Sequence, residues 1–253
     1  MLRRLAARFP ERYPLLLDSA AGGSLGRSSV LLAEPGAQLW LRADGRLESS
    51  GLTVRADGFL AALEEWWLNE RAVPPRGRDA RHGLPFDGGW AIFLGYELAG
   101  EIEPHLALPR SPLPWQAFAL RTPCALVHEL ARARVFAVAE AQAVDALERI
   151  EADARAVAHE ADERDTLRIG QVQEEDPAQF LARVRRAKDY VRAGDIYQAN
   201  LSRPWEVALE ARAERAAAAT LYRRLCAANP APFAALAQWR GVQGRPSFAR
   251  CGR

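Results

Sequence analysis

Residues 176 to 207 carry the strongest local signals for structure in this chain. Asp176 is a favourable N-cap, and Pro177 suits the first helical position, where no N–H partner is needed. Apolar side chains then recur at the spacing of one helix face, at Phe180, Val184, Ala187 and Val191. Gly194 can adopt the left-handed conformation that ends a helix. The stretch therefore predicts a capped amphipathic helix that ends at Gly194.

The residues after Gly194 change to a period of two. Apolar side chains alternate with amide and hydroxyl side chains: Tyr197, Ala199 and Leu201 on one face, and Gln198, Asn200 and Ser202 on the other. This alternation predicts a strand. Its polar face has two interpretations. It is either the solvent-facing side of an antiparallel sheet or a row of neutral donors and acceptors that lines a polar pocket.

The composition is that of a soluble globular protein, with 49% apolar and 26% charged residues. The net charge of +2 gives no electrostatic reason to expect nucleic acid or a membrane surface as a partner. No apolar run approaches the roughly 20 residues of a membrane span, and the apolar, basic segment 1–9 is too short for a secretion signal. Cys124, Cys226 and Cys251 form neither a disulfide framework nor a CxxC pair. We therefore expect a cytoplasmic protein.

Short alternating segments and amphipathic helices follow one another along the chain. Strands are predicted at 13–19, 30–32, 38–41, 124–129, 134–139 and 235–242, and helices at 57–69, 141–163 and 211–228. A turn at 34–36 separates the second strand from the third, and Asp44-Gly45 fits a tight hairpin turn. The side chains expected to face inward from the helices include Trp66, Trp67, Val144, Leu221 and Leu225. This order predicts an α+β fold with antiparallel β-sheets and flanking helices.

Changes in composition divide the chain into regions. A segment rich in proline, arginine and glycine at 71–85 contains His82, which we interpret as a surface histidine. A polar connector at 164–175 separates a first region, 1–163, from a second, 176–242. The tail, 243–253, lacks strand alternation and is predicted to belong to neither region.

Three motifs carry a resemblance to a known family. Residues 194–202, GDIYQANLS, resemble the GDxYQxNLx segment of chorismate-utilising enzymes, and most closely that of aminodeoxychorismate synthase component I. Residues 86–97, FDGGWAIFLGYE, resemble a glycine-rich segment that builds a central strand in this family. Residues 229–233, NPAPF, resemble its N-x-x-PF/Y segment. Asn200 and Ala231 favour the aminodeoxychorismate branch over anthranilate synthase component I.

The resemblance implies an incomplete anthranilate-synthase-like α/β sandwich. A full-length parent enzyme would combine chorismate with ammonia from a glutamine amidotransferase subunit to form 4-amino-4-deoxychorismate, a precursor of p-aminobenzoate and folate. Gln198 and Asn200 would then lie on a polar strand near the substrate pocket.

The resemblance also implies a tryptophan pocket with walls from both ends of the chain. Leu16 to Ser19 resembles the LLxS motif of the family. The implied tryptophan-binding residues are Ser19, Leu25, Gly26, Arg27, Ser28, Pro232, Phe233 and Ala234. Tryptophan is a feedback inhibitor in anthranilate synthase and a structural ligand in some aminodeoxychorismate synthases. A simpler interpretation is that Ser19 ends a strand, Arg27 is a solvated loop charge, and 230–234 is a proline-rich turn.

The catalytic motifs of the family do not occur in this sequence. By resemblance, an SPERF glutamate and a PIKGT lysine act on chorismate, and later glutamates hold Mg²⁺. We therefore predict no catalytic residue and no metal site in this chain, and no activity of the chain alone. The sole lysine, Lys188, falls on the exposed side of a helix and is no substitute. Glu97, Glu101 and Glu103 are assigned no chemistry.

Two further hypotheses concern the identity of the chain and its tail. The alternatives to the leading prediction are anthranilate synthase component I and a non-catalytic module that binds tryptophan. If Phe248 and Ala249 are encoded by TTC and GCC, a one-base shift spells Ser-Pro, the start of the absent SPERF motif. The tail would then be a frameshifted continuation of a full-length enzyme.

Overall fold

The computed structural model describes residues 1–21, 23–71, 83–111, 113–159, 167–210, 214–240 and 246–252. These residues form two compact units: Met1–Asp162 together with Tyr222–Arg253, and Glu163–Leu221. These limits differ from the predicted division at 164–175, because the residues after Leu221 belong to the first unit. The segment 72–82, which includes His82, lies outside the described residues. None of the helices in the described ranges is long and apolar enough to cross a membrane.

The chain contains helices and runs of consecutive strands, as the α+β prediction requires. The strands are β1 (Leu15–Asp18), β2 (Ser28–Ala33), β3 (Gln38–Arg42), β4 (Leu47–Ser50), β5 (Gly89–Leu94), β6 (Trp115–Thr122), β7 (Cys124–Glu129), β8 (Arg134–Ala139), β9 (Arg168–Glu174), β10 (Trp205–Glu210), β11 (Ala234–Arg240) and β12 (Pro246–Gly252). The helices are α1 (Leu2–Arg8), α2 (Phe59–Glu70), α3 (Ala99–Ile102), α4 (Ala146–Ala158), α5 (Pro177–Ala193) and α6 (Glu214–Ala228).

Two antiparallel sheets form the first unit. One has the order β12-β11-β1-β2-β7-β8, and the other has the order β4-β3-β6-β5. The sheets pack face to face, because Val30 and Leu32 of β2 share a buried cluster with Leu120 of β6 and Ala91 of β5. Alternate residues of β2 point the other way, since Leu31 packs in a cluster with side chains of α1, α4 and α6.

The outer face of the second sheet is covered by α2. Phe59, Ala62 and Trp66 of this helix pack with Leu39 and Ala119 of the sheet. The first unit therefore consists of helices, a sheet, a second sheet and a helix in successive layers. The prediction of antiparallel sheets with flanking helices is confirmed.

Arg121 of β6 links the second sheet to helix α2 and to Glu140. Its guanidinium donates to Glu70 of α2 at 2.8 Å, to Glu140 at 2.6 Å and to the Gly89 carbonyl at 2.9 Å. A Cβ at Gly88 would lie 2.3 Å from Oε1 of Glu140, so the glycine allows this carboxylate to approach.

The segments 30–32 and 38–41 form strands as predicted, and β2 and β3 belong to different sheets. Two other strand predictions are corrected by the sheet topology. The glycine-rich segment forms β5, which is an edge strand among the described residues and not a central one. The tail forms β12, which pairs with β11 from Arg240↔Pro246 to Ala234↔Gly252. The tail was predicted to have no strand because its side chains do not alternate, but the open edge of β11 offers backbone groups to any extended segment.

The second unit contains α5 and a two-stranded sheet. Asp176 accepts a hydrogen bond from the Ala178 N–H at 2.9 Å, and Gly194 ends the helix with φ 82°, so both capping predictions are confirmed. The predicted connector 164–175 instead contains β9, which pairs with β10. The predicted strand at 197–202 is wrong, because this segment is irregular and has no strand partner among the described residues. Its Tyr197 is 94% exposed.

Several helix faces also differ from the prediction. Trp67, Val144 and Leu225 are exposed, while Trp66, Ile150, Tyr222 and Cys226 are buried. Helical spacing fixes which residues share a face, but the neighbouring sheet decides which face is buried. The face of α6 that packs on the first sheet is therefore rotated from the predicted one.

Glu101 caps α2 from elsewhere in the chain. Its carboxylate accepts hydrogen bonds from the backbone N–H groups of Phe59 at 2.8 Å and Leu60 at 3.0 Å. These are the first two residues of α2, whose N–H groups have no partner inside the helix. The negative charge is also favourable at the positive end of the helix.

We expect Glu101→Ala to lower the free energy of unfolding by about 1 kcal/mol, since two N–H groups at the helix start lose their acceptor. The measurement is urea denaturation followed by circular dichroism. Glu103→Ala is the matched control, because among the described residues the contact of the Glu103 carboxylate is with the exposed His105, at 3.5 Å, and not with a helix start. An equal loss in the two variants would contradict the capping role of Glu101.

Candidate functional site

The position of β1 in the first sheet brings together segments that are distant in sequence. β1 pairs with β2 through Leu17↔Val30 and with β11 through Leu17↔Ala235 and Asp18↔Ala234. The residues that follow β1 therefore lie beside those that precede β2 and those that precede β11. Ser19 and Pro232, which are 213 positions apart, are joined by a hydrogen bond.

A cavity of about 650 Å³ lies at this junction, within the first unit. Leu17 and Val30 of the first sheet line it, and so do Phe93 and Phe118 of the second. Among the implied tryptophan-binding residues, those that line this cavity are Ser19, Leu25, Arg27, Ser28, Pro232, Phe233 and Ala234. The size and the mainly apolar walls suit a small molecule with a large apolar part.

Ser19 ties the two walls of the cavity together. Its hydroxyl donates to the Ser28 carbonyl at 2.8 Å and lies 3.3 Å from the Pro232 carbonyl. Its backbone N–H donates to Oγ of Ser29 at 3.1 Å. A serine hydroxyl has one hydrogen and two acceptor lone pairs, so Ser19 can also accept a hydrogen bond from a ligand.

Gly26 lies behind the cavity and not on its lining. It is buried, and a Cβ built on it would lie 2.2 Å from the carbonyl oxygen of Ala21 and 3.4 Å from the Cβ of Ser19. The backbone at 21 is itself held by a hydrogen bond from the Ala21 N–H to the Ala231 carbonyl at 3.1 Å. Gly26 therefore allows the loop before β2 to pack closely against the segment that carries Ser19.

Arg27 and Asp18 are the charged residues among those that line the cavity. Arg27 is exposed, and its backbone carbonyl accepts from the Leu130 N–H at 3.0 Å, which holds the main chain in place. Its guanidinium is therefore the group at this site that can reach an anionic part of a ligand.

The Asp18 carboxylate is buried beneath the cavity. Oδ1 accepts from Oγ of Ser29 at 2.9 Å, and Oδ2 accepts from Nε of Arg3 at 2.7 Å and from the Tyr222 hydroxyl at 3.2 Å. Burial, together with the negative charge of Asp18, raises the pKa of Tyr222 above its ordinary value. The phenol therefore stays protonated and able to donate.

The sequence analysis missed Asp18, Ser29, Arg3 and Tyr222, and also the apolar lining from the second sheet. The alternation of β1 could have placed Asp18 opposite Leu17, but no sequence signal places Tyr222 of α6 beside it. Phe93 and Phe118 come from the other sheet, so their contribution depends on how the sheets pack.

Gln198 and Asn200 belong to the second unit. Both are exposed in the irregular segment after α5, so the structure does not place them on a strand. Their proximity to a substrate pocket stays a prediction.

No group of three acidic, histidine or cysteine side chains in the described ranges could hold a metal ion. The implied magnesium ligands of the family belong to motifs that are not in this sequence. We therefore derive no chemical step through magnesium from this chain.

We expect Gly26→Ala to lower the free energy of unfolding by roughly 1–3 kcal/mol, because the new methyl group forces the Ala21 carbonyl away. Thermal and urea denaturation measure this loss. Gly36→Ala is the control, since a Cβ there meets no atom closer than 3.8 Å. If Gly26→Ala is as stable as Gly36→Ala, the close packing behind the cavity is not required.

Comparison with known proteins gives the family of the chain. No curated protein matches the sequence. Among solved structures, the chain resembles anthranilate synthase component I from Streptococcus pneumoniae TIGR4, with a TM-score of 0.60 and 18% sequence identity. The similarity covers 87% of this chain and 51% of that one, so the chain spans about half the length of this relative. The expected likeness to the fold of anthranilate synthase component I is confirmed. A family model described as chorismate binding enzyme matches residues 15–244, and the chain therefore belongs to the chorismate-binding enzyme family.

Proposed function

We propose that this chain is the first half of an aminodeoxychorismate synthase component I and that its cavity binds L-tryptophan. One observation supports the binding proposal above all. The family resemblance implies tryptophan-binding residues in two segments that lie more than 200 positions apart. Residues of both segments line a single cavity.

The chemistry of the cavity suits a tryptophan zwitterion. An indole has a large apolar surface and one N–H donor, so it needs apolar walls and an acceptor. Leu17, Phe93, Phe118 and Phe233 supply apolar walls. The Ser19 hydroxyl and nearby backbone carbonyls can accept from the ammonium group or the indole, and Arg27 can pair with the carboxylate.

The reaction assigned to the complete enzyme follows from the family. Chorismate-binding enzymes of the component I type act on chorismate, and ammonia would come from a glutamine amidotransferase partner. Asn200 and Ala231 support 4-amino-4-deoxychorismate as the product. The acid, the nucleophile and the Mg²⁺ ligands would come from polypeptide outside this chain. The complete enzyme would act in the cytoplasm.

Two alternative functions are each supported by one observation. The likeness to the fold of an anthranilate synthase component I favours that activity as a second candidate. The cavity, whose lining lies within the first unit, favours a non-catalytic module that binds tryptophan as a third.

Calorimetric titration of the 253-residue chain with L-tryptophan should show one site per chain. We expect Phe233→Ala to weaken the affinity about tenfold, since a ring that forms one wall is lost. Leu108→Ala is the control, because Leu108 is also an exposed apolar side chain and does not line the cavity. A flat titration of the unsubstituted chain would remove tryptophan as the ligand.

Incubation of the chain with chorismate, ammonia and Mg²⁺ should give no product, because the acid and nucleophile of the family are not in its sequence. A chain extended by SPERF- and PIKGT-containing polypeptide should give 4-amino-4-deoxychorismate, detected by chromatography. Anthranilate from the extended chain would favour the second candidate. Turnover of chorismate by the 253-residue chain would contradict the proposal that the catalytic groups come from polypeptide outside it.

The frameshift hypothesis is proposed for the tail. Sequencing of the gene across the codons of Phe248 and Ala249 tests it directly. An intact downstream frame without SPERF and PIKGT would refute it.

A further inference from the structure

The Asp18 carboxylate joins three elements of the first unit. It accepts from Arg3 of α1, from Ser29 of β2 and from Tyr222 of α6, at 2.7, 2.9 and 3.2 Å. Asp18 is 8% exposed, Ser29 4% and Tyr222 7%. A carboxylate that is this buried is tolerated because three donors compensate it. The arrangement of these donors is therefore tightly restricted.

Both walls of the cavity are connected to residues that donate to this carboxylate. On one side, Oγ of Ser29 donates to Asp18 and accepts from the backbone N–H of Ser19. On the other side, Tyr222 lies on α6, which ends at Ala228 and leads within a few residues to Pro232 and the second wall. The position of α6 against β1 therefore helps to set the position of that wall.

We propose that Asp18 is a positioning residue that holds the two walls at ligand-binding distance and couples occupancy of the cavity to the packing of α6. This inference rests on the proposed binding of tryptophan. Asp18 acts through Ser29 and Tyr222, and the ligand contacts the walls.

The coupling is reciprocal by thermodynamic necessity. If the hydrogen bond between Asp18 and Tyr222 favours tryptophan binding, then bound tryptophan favours the packing of α6 to the same extent. The helix α6 begins in the second unit and ends in the first, with the boundary after Leu221.

If Asp18 had a purely structural role, removal of its donors would lower the free energy of unfolding and leave the affinity for L-tryptophan unchanged. Asp18→Asn is the obvious variant, but it leaves the Arg3 charge without its partner and can unfold the chain. Tyr222→Phe and Ser29→Ala each remove one oxygen, and neither residue lines the cavity. Tyr96→Phe is the control, since Tyr96 is 90% exposed and remote from this network.

The experiment combines calorimetric titration with L-tryptophan and hydrogen exchange of the α6 amides in the full 253-residue chain. We expect Tyr222→Phe and Ser29→Ala each to weaken affinity about fivefold or more, and the double variant to weaken it by less than the product. Tryptophan should slow exchange in α6 of the unsubstituted chain and of Tyr96→Phe, but not of Tyr222→Phe.

Two results would overturn the inference. If the unsubstituted chain binds tryptophan and Tyr222→Phe binds it equally well, with the same protection of α6, Asp18 has no positioning role. If the unsubstituted chain gives a flat titration, the proposed function fails and this inference fails with it. The first result leaves tryptophan binding intact, so the two failures are distinguishable.

Discussion

The antiparallel pairing of β1 with β11 is the constraint on which the rest of the first unit depends. It joins Leu15 to Ala237 and Asp18 to Ala234, segments from opposite ends of the chain. Closing so long a loop is entropically costly, although the cost grows only slowly with length. The buried pair Leu16 and Leu236, together with the backbone hydrogen bonds, offsets it. Without this pairing, the walls of the cavity would not meet.

Because successive side chains of β1 point to opposite faces, the two faces of this short strand make different contacts. The side chains of Leu15 and Leu17 face the cavity, whereas the Leu16 side chain and the Asp18 carboxylate contact the helices. A ligand that touches one face and a helix that packs on the other are therefore connected through a single strand. A shift of one residue in register would exchange the two faces, so the same pairing that forms the cavity also fixes the charge beneath it.

The features that the sequence predicted are those that short-range chemistry decides. The caps of α5 at Asp176 and Gly194 and the hairpin turn at Asp44-Gly45 depend on a few neighbouring residues. The site residues from Ser19 to Ala234 came from motif resemblance. Their assembly into one cavity then depends on β1 and β11, which periodicity alone does not pair.

The features that the sequence missed depend on partners far along the chain. Residues 197–202 alternate as a strand does, yet alternation without a neighbouring strand leaves the backbone irregular. Glu101 and Asp18 act on helices that are distant in sequence, and no local pattern identifies such contacts. Trp67 and Leu225 were placed inward because helical spacing gives the shared face but not its orientation towards a sheet.

The two units differ in how firmly they are packed. The first has buried clusters on both faces of each sheet, whereas among the described residues of the second only Leu167 and Thr220 are buried. Trp205 and Val172 of its two-stranded sheet are 57% and 49% exposed, and such a sheet is marginally stable alone. The folded fraction of a weakly packed segment changes when a small free energy favours or opposes its folding. The free energy of unfolding of the second unit is therefore expected to be the smaller of the two.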